Sequence, residues 1–487
     1  MDSQFNQILD TLINNLQSIL PSSISELINI QLNSLRINPP ILPQCSALNL
    51  PEDQLNALST ISNILGPKNQ KNKYPYFFVT GSAGTGKSFL INLIVENLKK
   101  KGSNYLLLAP TGVAATTIGG ETIHSALRIR EAFGGFQSLA FYDHDFFKSL
   151  KTINTLIIDE ISMVSSALFS FISDMFARIH GNDLAFGGIN VIVIGDLAQL
   201  PPVRALSVFY SPIWHLFYPL FLRQSRRQQE DVEFYNILEE IRFGNISSQT
   251  WTKLMKKASE YPSSQSLDIL LSTTHIVGYR ESADQINQII CNALPVEDEK
   301  FFVSKALDFQ NGTQILSQQS QEEFKSKTNL PLSVRLQQGA RVMYLNNSLI
   351  NEGICNGTIG VITDLNKNTL NVQIAFCIHG AIVHKWITQQ TNYFYAAGQH
   401  ASRTQFPLQN SFALTVHKTQ SLTLPKISID LAQLFSPGQA YVAISRCPKW
   451  KQVQISSLDK NAFITDPEIV KEYRRLEKVT MQPLPSF

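Results

Sequence analysis

The chain has 487 residues, a formal net charge of +3, 44% hydrophobic residues and 16% charged residues. This composition excludes a disordered chain, the length allows about two to four domains, and no apolar run approaches the length of a membrane span. The five cysteines are scattered and form no C-x-x-C pair, which argues against a zinc site or a disulfide framework. We therefore expect a soluble intracellular protein without a membrane partner.

The N-terminal stretch 1–48 is polar and rich in Asn, Gln and Ser. It has room for one or two amphipathic helices, for example from Phe5 to Leu20, and the prolines up to Pro43 mark a linker. Its first basic residue is Arg36, so it is neither a signal peptide nor a convincing mitochondrial presequence. We interpret it as an appendage and linker.

A phosphate-binding loop is the strongest signal in the chain. An apolar run from Tyr76 to Val79 predicts a buried strand, and the apolar residues after the loop recur at helical spacing. The glycines of such a loop let successive N–H groups turn towards phosphate oxygens, and the helix adds the positive end of its dipole. The match to G-x-x-x-x-G-K-[ST] is formed by Gly81, Ser82, Ala83, Gly84, Thr85, Gly86, Lys87 and Ser88. We predict that Lys87 reaches the β- and γ-phosphates of a nucleoside triphosphate and that the Ser88 hydroxyl binds Mg²⁺.

Further strands end in polar residues. A run from Thr155 to Ile158 leads into Asp159 and Glu160, and a run from Asn190 to Ile194 leads into a second polar loop. An acid at the tip of a core strand can hold Mg²⁺, directly or through water, and its neighbour can orient or deprotonate the attacking water. A solvated strand end is the alternative, and Lys87 upstream favours the catalytic interpretation. Strands with helices between them and polar loops at their ends describe a parallel sheet.

Two later regions have weaker patterns. The stretch 128–150 is rich in aromatic residues without clear periodicity, which suits a protruding loop or a hairpin. From Gly357 to Val383, β-branched and apolar residues alternate with turns at 364–368 and at His379-Gly380, which predicts a small β-barrel.

Together these motifs resemble the Pif-type and RecD-like DNA helicases of superfamily one. The resemblance covers about residues 50 to 475, and its motifs follow one another in the family's order. They are GSAGTGKS (81–88), APTGVAATTIGGETIHSAL (109–127), LIIDEISMV (156–164), GDLAQLPPV (195–203), Arg227-Gln228 with its downstream spacing, Gln338 to Met343, Asn356 to Gly360, Ala413 to Gln420 and Gly438 to Arg446.

The resemblance implies roles for individual residues. Gln54 would read the adenine edge, Asp159 would support Mg²⁺ and Glu160 would be the general base. Gln199 would sense the γ-phosphate and link the site to DNA. Arg227 and Arg446 would act as arginine fingers from a second core; Arg223-Gln224 is similar to Arg227-Gln228 but lacks its downstream spacing.

DNA contacts are also implied by the resemblance, at Thr111, Gly112, His124, His417 and Lys418. For the two histidines, a hydrogen-bonded residue of the core remains an alternative. The stretch 128–150 would be the strand-separating element. The alternative, that its aromatic rings are partly buried in a core, is equally compatible with the sequence.

The predicted fold is α/β, with two RecA-like cores built on parallel sheets and a small β-barrel inserted into the second core. The predicted domains are 1–48 (appendage), 49–220 (first core), 221–300 (second core, first part), 301–411 (insertion) and 412–487 (second core, final part).

The predicted function is an ATP- and Mg²⁺-dependent DNA helicase that moves 5′ to 3′ on single-stranded DNA and unwinds tailed duplexes. We expect a monomer in the nucleus or another compartment that contains DNA. The alternatives are an ATP-driven translocase or RNA helicase of the same superfamily and a nucleic-acid-binding scaffold with weak ATPase activity. One departure from the family is Ser421, where Gly is usual, and only Gly enters the φ > 0 region freely.

Overall fold

The computed structural model describes residues 5–6, 9–10, 12, 23–35, 50–64, 73–132, 135–224, 231–261, 271–315, 323–324, 327–396 and 398–481. Its α-helices are α1 (Ile24–Leu35), α2 (Glu52–Ile64), α3 (Lys87–Lys100), α4 (Gly112–Ile118), α5 (Ile123–Ala126), α6 (His144–Lys151), α7 (Ser166–His180), α8 (Val232–Arg242), α9 (Ser248–Ser259), α10 (Arg280–Ala293), α11 (Val416–Thr419), α12 (Gln439–Ser445) and α13 (Pro467–Thr480).

The strands of the first half of the chain are β1 (Tyr76–Gly81), β2 (Tyr105–Ala109), β3 (Glu121–Thr122), β4 (Ile129–Ala132), β5 (Gly135–Ser138), β6 (Thr155–Ile158), β7 (Asn190–Gly195) and β8 (Phe217–Leu222). Those of the second half are β9 (Thr273–Val277), β10 (Phe301–Lys305), β11 (Leu307–Gln310), β12 (Thr313–Ile315), β13 (Ser333–Gln337), β14 (Arg341–Tyr344), β15 (Ile359–Asn366), β16 (Asn371–Ile378), β17 (Ala381–Thr388), β18 (Gln390–Ala396), β19 (Gln399–Gln405), β20 (Leu408–Asn410), β21 (Ala413–Thr415), β22 (Lys426–Asp430) and β23 (Val453–Ser457).

The chain divides into two compact units. The phosphate-loop unit comprises Leu42–Thr252, Phe435–Trp450 and Lys460–Phe487. The insertion unit comprises Met1–Ile41, Lys253–Leu434 and Lys451–Asp459. The division into helicase domains given above stays a prediction.

A six-stranded parallel sheet organises the phosphate-loop unit, in the order β3-β2-β6-β7-β1-β8. Side chains of β1 alternate between two apolar cores: Tyr76 and Phe78 lie in one, Phe77 and Val79 in the other. Strands covered on both faces read as continuous apolar runs, which is why these strands were visible in the sequence. The carboxyl ends of β1, β6 and β7 carry the phosphate loop, the paired acids and the second polar loop, so the predicted parallel sheet is confirmed.

The insertion unit contains a smaller parallel sheet, β21-β9-β22-β23, and antiparallel sheets on the residues between β9 and β21. The antiparallel sheets are β17-β16-β15-β14-β20, β12-β11-β19-β18 and β10-β13. Within the described residues each of them has two end strands, so the predicted closed barrel is not confirmed.

The strands and turns predicted for this insertion are nevertheless present. β15, β16 and β17 pair in sequence as an antiparallel meander. The second turn lies at His379 and Gly380, whose φ values of 50° and 85° are both left-handed. Two consecutive left-handed residues are the requirement of the tight turn whose twist matches that of the flanking strands.

An N-terminal helix is part of the insertion unit. Leu27 of α1 is fully buried, and the Gln31 side-chain amide donates to the Gly339 carbonyl. Gly339 has a φ of 83°, and a Cβ there would lie 2.5 Å from Leu27 Cδ2, so α1 approaches the backbone at a position that favours glycine. The helix predicted from Phe5 to Leu20 falls largely outside the described residues. Among the described helices, none is both long enough and apolar enough to cross a bilayer.

Candidate nucleotide and nucleic-acid sites

The phosphate loop curls between β1 and α3 with the geometry that its glycines allow. Gly84 and Gly86 have φ values of 88° and 82°, in the left-handed region. Lys87 opens α3, and its Nζ donates to the carbonyls of Gly81 at 2.7 Å and Ser82 at 2.9 Å. The ammonium group therefore lies against the start of the loop, within reach of a phosphate in its concavity.

Gln54 lies directly beside this loop. Its Nε2 donates to the Thr85 carbonyl at 2.7 Å, and its side chain is fully buried. The preceding Asp53 accepts from the backbone N–H groups of Arg223 at 2.6 Å and Gln224 at 2.9 Å. The start of α2 thus ties the loop to the segment that follows β8. The adenine-reading role of Gln54 stays a prediction.

Asp159 and Glu160 follow β6, next to β7 in the sheet. Asp159 is 6% exposed, and its Oδ1 accepts from the Glu160 N–H at 2.9 Å. Burial and the neighbouring Glu160 charge raise the pKa of Asp159 to about 7. Glu160 has a φ of 50°, a left-handed conformation that is costly for a residue with a side chain. Two adjacent carboxylates, of which Asp159 has a raised pKa, form a site that a cation would stabilise.

A third carboxylate, Asp196, follows β7 and was not assigned a role from the sequence. It is fully buried and accepts from Arg242 Nη2 at 2.9 Å and Nε at 3.1 Å, from Tyr441 at 2.9 Å and from Tyr473 at 2.9 Å. Burial raises its pKa, but the charges of Arg242 and Lys87 outweigh burial and hold the pKa below its usual value. The signal that could have found Asp196 is its position directly after an apolar strand, the same as that of Asp159.

Gln199 is buried in the loop that begins at Asp196. It is 3% exposed, and its Oε1 has no hydrogen-bond partner among the described residues. Gly438, which precedes α12 with a φ of 76°, lies so close that a Cβ there would be 2.9 Å from the Gln199 carbonyl oxygen. The polar loop and α12 therefore touch through backbone, as the two predicted motifs would require if they act together.

The two predicted arginine fingers differ in what the structure shows. Arg227 lies outside the described residues. Arg446 follows α12, is 4% exposed, and donates to the Val442 carbonyl and to Ser445 Oγ, both at 2.9 Å. Arg223 is largely exposed and pairs with Glu477 at 3.5 Å. The finger roles stay predictions.

Three predicted DNA contacts lie in the phosphate-loop unit. Thr111 caps α4, its hydroxyl accepting from the Ala114 N–H at 3.3 Å, and Gly112 begins the helix. His124 on α5 is exposed, so it is not a histidine of the core.

The other two lie on α11 in the insertion unit. His417 is exposed, which also excludes a core role, and Lys418 donates to Gln409 Oε1. Burial and the positive charge of Arg280 lower the pKa of Lys418 to about 8, although Asp284 opposes this. Arg280, at the start of α10, is a basic neighbour that the sequence analysis missed. Ser421, two residues after α11, has a φ of 65°, so the turn keeps the conformation for which the family uses glycine.

The stretch 128–150 is both a hairpin and a packed element. β4 and β5 pair as an antiparallel hairpin, followed by α6. Phe136, Phe141, Phe146 and Phe147 pack against the core, whereas Tyr142 is 83% exposed. Arg128 pairs with Asp143 at 2.7 Å across the base of the hairpin. Phe133 lies outside the described residues.

Known proteins are similar to this chain in sequence and in fold. Human ATP-dependent DNA helicase PIF1 is 30% identical over 417 residues, which is 82% of this chain and 61% of the human protein. The crystal structure of Pif1 helicase from Candida albicans superposes with a TM-score of 0.71 at 25% identity, covering 88% of this chain and all of that one. A Bacteroides Pif1 solved with ADP-AlF3 and ssDNA gives a TM-score of 0.70 at 26% identity, covering 88% and 98%.

The chain therefore spans about three fifths of the human relative's length. A family model described as PIF1-like helicase matches residues 49–252, from the start of α2 into α9. The resemblance predicted from the motifs is confirmed: residues 49–252 match the PIF1-like helicase family, and the chain resembles Pif1 helicases in sequence and fold over most of its length.

Proposed function

We propose that this protein is an ATP- and Mg²⁺-dependent DNA helicase that moves 5′ to 3′ along single-stranded DNA and unwinds duplexes. The observation that carries the proposal is the meeting of the phosphate loop with three acids, Asp159, Glu160 and Asp196, along one edge of a parallel sheet. The relatives that match most of the chain are named as DNA helicases, and one was solved with ADP-AlF3 and ssDNA.

The residues present fit a Mg²⁺ ion. Burial and the neighbouring Glu160 charge raise the pKa of Asp159 to about 7, and a cation bound beside the two carboxylates would offset both effects. Ser88 and Asp159 would hold the ion, directly or through water, in the way that phosphate-loop enzymes do. When bound, Mg²⁺ would neutralise charge on the β- and γ-phosphates.

The protein's own groups would then perform hydrolysis. Lys87 binds the terminal phosphates, and Glu160 takes a proton from the attacking water. Arg227 and Arg446 stabilise the charge that develops on the transferred phosphoryl group, and Gln199 responds to its loss. Gln54 orients the adenine.

We propose DNA contacts in each of the two units. The Thr111 hydroxyl, the Gly112 N–H, His124, His417 and Lys418 suit contacts with phosphates, which position a strand without reading its sequence. The insertion would lie over the strand, and the hairpin at 128–150 would separate the duplex. We propose that the fold contains two RecA-like cores and that the protein is a monomer. We also propose that it acts in the nucleus or another compartment that contains DNA.

The test is unwinding of a partial DNA duplex with either a 5′ or a 3′ single-stranded tail, with ATP and Mg²⁺. The matched control is Glu160→Gln, which keeps the side chain's size and removes the base. We expect unwinding of the 5′-tailed substrate only, lowered about 100-fold or more in the variant.

Other outcomes select other functions. DNA-stimulated ATP hydrolysis without strand separation would replace the helicase by a translocase, and unwinding of RNA-tailed substrates alone would make it an RNA helicase. Nucleic-acid binding without ATP hydrolysis would leave only a scaffold.

A further inference from the structure

The hydroxyl group of Tyr441 lies between the phosphate loop and the loop after β7. It accepts from the Ala83 N–H at 2.7 Å and donates to Asp196 Oδ2 at 2.9 Å. Tyr441 is 1% exposed, on the buried helix α12 of the phosphate-loop unit. One side chain therefore contacts two of the loops that end the strands of the sheet.

The direction of these two bonds is fixed by charge. Arg242 holds the pKa of Asp196 low, so the carboxylate is ionised and can only accept. Burial and the Asp196 charge raise the pKa of Tyr441 well above its usual value, so the phenol keeps its single proton. That proton points at Asp196, which leaves an oxygen lone pair for the Ala83 N–H. No other side-chain type of this size supplies a donor and an acceptor from one atom.

The loop is held by bonds within itself and by bonds from other elements, such as the one from Gln54 of α2 to the Thr85 carbonyl at 2.7 Å. Thr85 binds the Ser82 carbonyl through its hydroxyl at 2.9 Å, and Lys87 binds carbonyls at the start of the loop. These bonds join the loop to itself. Tyr441 instead holds a backbone N–H of the loop from a separate helix, the one that ends next to Arg446.

We infer that Tyr441 is a positioning residue: its hydroxyl fixes the phosphate loop at Ala83 in the shape that receives a nucleotide, and ties that shape to α12. The inference rests on the proposed nucleotide site. It does not make Tyr441 a catalytic residue, because its hydroxyl is already occupied by protein atoms on both sides. A loop that is already shaped loses less conformational freedom when it binds, so the hydroxyl should raise nucleotide affinity.

Tyr473 provides a matched control. Its hydroxyl also donates to Asp196, at 2.9 Å, but its other contacts are Thr80 Oγ1 at 2.9 Å and the Leu197 N–H at 3.0 Å, not the phosphate loop's Ala83. Tyr441→Phe and Tyr473→Phe therefore each remove one buried hydroxyl from Asp196. Only Tyr441→Phe also releases Ala83.

The experiment measures the Kd of a fluorescent ADP analogue, N-methylanthraniloyl-ADP with Mg²⁺, for the full chain and both variants. We expect the Kd of Tyr441→Phe to rise about fivefold, the effect of one hydrogen bond, and that of Tyr473→Phe to stay within about twofold. Thermal unfolding with and without ADP gives a second readout. Both variants should melt earlier, but the gain in melting temperature from ADP should shrink in Tyr441→Phe alone.

Several results would overturn the inference. Equal Kd values for the two variants would mean that the Tyr441 hydroxyl serves only the stability of the Asp196 cluster. Tighter binding by Tyr441→Phe would mean that the hydroxyl competes with phosphate for the Ala83 N–H. A wild-type chain that binds the analogue but opens no duplex would remove the helicase proposal and leave this inference tested. A wild-type chain that binds no nucleotide would remove both.

Discussion

The two parallel sheets differ in the charged groups that follow several of their strands. In the phosphate-loop unit, β6 and β7 lead into Asp159, Glu160 and Asp196. In the insertion unit, β21 leads into His417 and Lys418, and β9 is followed within three residues by Arg280 at the start of α10. The same architecture thus presents acids after β6 and β7 and basic groups after β9 and β21.

The second sheet does have one acid at a strand end, and its surroundings show the difference. Asp430 closes β22, is 4% exposed, and accepts from Ser457 Oγ and from the Ala432 N–H at 3.1 Å. Burial raises the pKa of Asp430, whereas the pKa of Asp196 is lowered by Arg242 and Lys87. The position in a parallel sheet sets where an acid lies, and the neighbouring charges set the direction in which its pKa shifts.

The largest effect that can test this contrast is loss of the Asp196 charge. Asp196→Asn leaves the buried Arg242 with only the longer contact to Glu239, 3.5 Å from its Nη1, and breaking a buried ion pair in this way costs about 3–5 kcal/mol. We expect the free energy of unfolding at pH 7 to fall by this amount. The measurement is urea denaturation, read in the unfolding transition that moves to higher urea when ADP is added. Because folding lowers the pKa of Asp196, its carboxylate stabilises the fold at neutral pH, and this stabilisation is lost as the pH falls through the lowered pKa. The difference between the two proteins should therefore shrink below about pH 4.

Asp430→Asn is the control in the other sheet. With its pKa raised, the ionised Asp430 costs stability at neutral pH, so an uncharged amide of the same shape should change the free energy of unfolding by less than about 1 kcal/mol. Equal losses in the two variants would mean that the neighbouring charges do not distinguish the two sites.

A smaller effect is expected at the basic end. The pKa of Lys418 is lowered to about 8, and only its charged form binds a phosphate, so DNA affinity should fall as the pH rises through 8. We expect a fluorescent oligothymidine to bind about fivefold more weakly at pH 9 than at pH 7. Lys418→Arg, whose guanidinium stays charged, should lose this dependence. A pH profile shared by both proteins would assign the dependence to another group.

The smallest effect concerns the turn that follows α11. Ser421 has a φ of 65°, a conformation that costs a residue with a Cβ about 1–2 kcal/mol. Glycine avoids this cost but loses more conformational entropy on folding, which cancels part of the gain. Ser421→Gly should therefore stabilise the insertion unit by about 0.5 kcal/mol. Ser421→Ala keeps the Cβ and should give no gain. If both variants behave alike, the hydroxyl rather than the backbone matters.

The sequence predicted best what depends on local chemistry. The phosphate loop, the strands β1, β6 and β7, and the turn at His379-Gly380 follow from apolar runs and glycine positions. Asp159 and Glu160 were found because the acids stand directly after an apolar strand.

What the sequence did not reveal depends on contacts between distant segments. Asp196 meets Arg242, Tyr441 and Tyr473 from three helices up to 277 residues away along the chain, and no spacing rule joins them. The barrel was predicted from alternation, which specifies strands but not whether the last strand pairs with the first. Arg280 was overlooked because an arginine at a helix start resembles any solvated end until its neighbours on α11 are known.

The packing of α1 also bears on how the protein can be cut. A fragment that starts at residue 49, where the family match begins, would lack Leu27 and Gln31 and would uncover Gly339 and part of the apolar cluster that Leu27 belongs to. Such a fragment would keep every motif named above and still tend to aggregate through the newly exposed surface. A truncation intended for crystallisation or assay should therefore begin before Ile24.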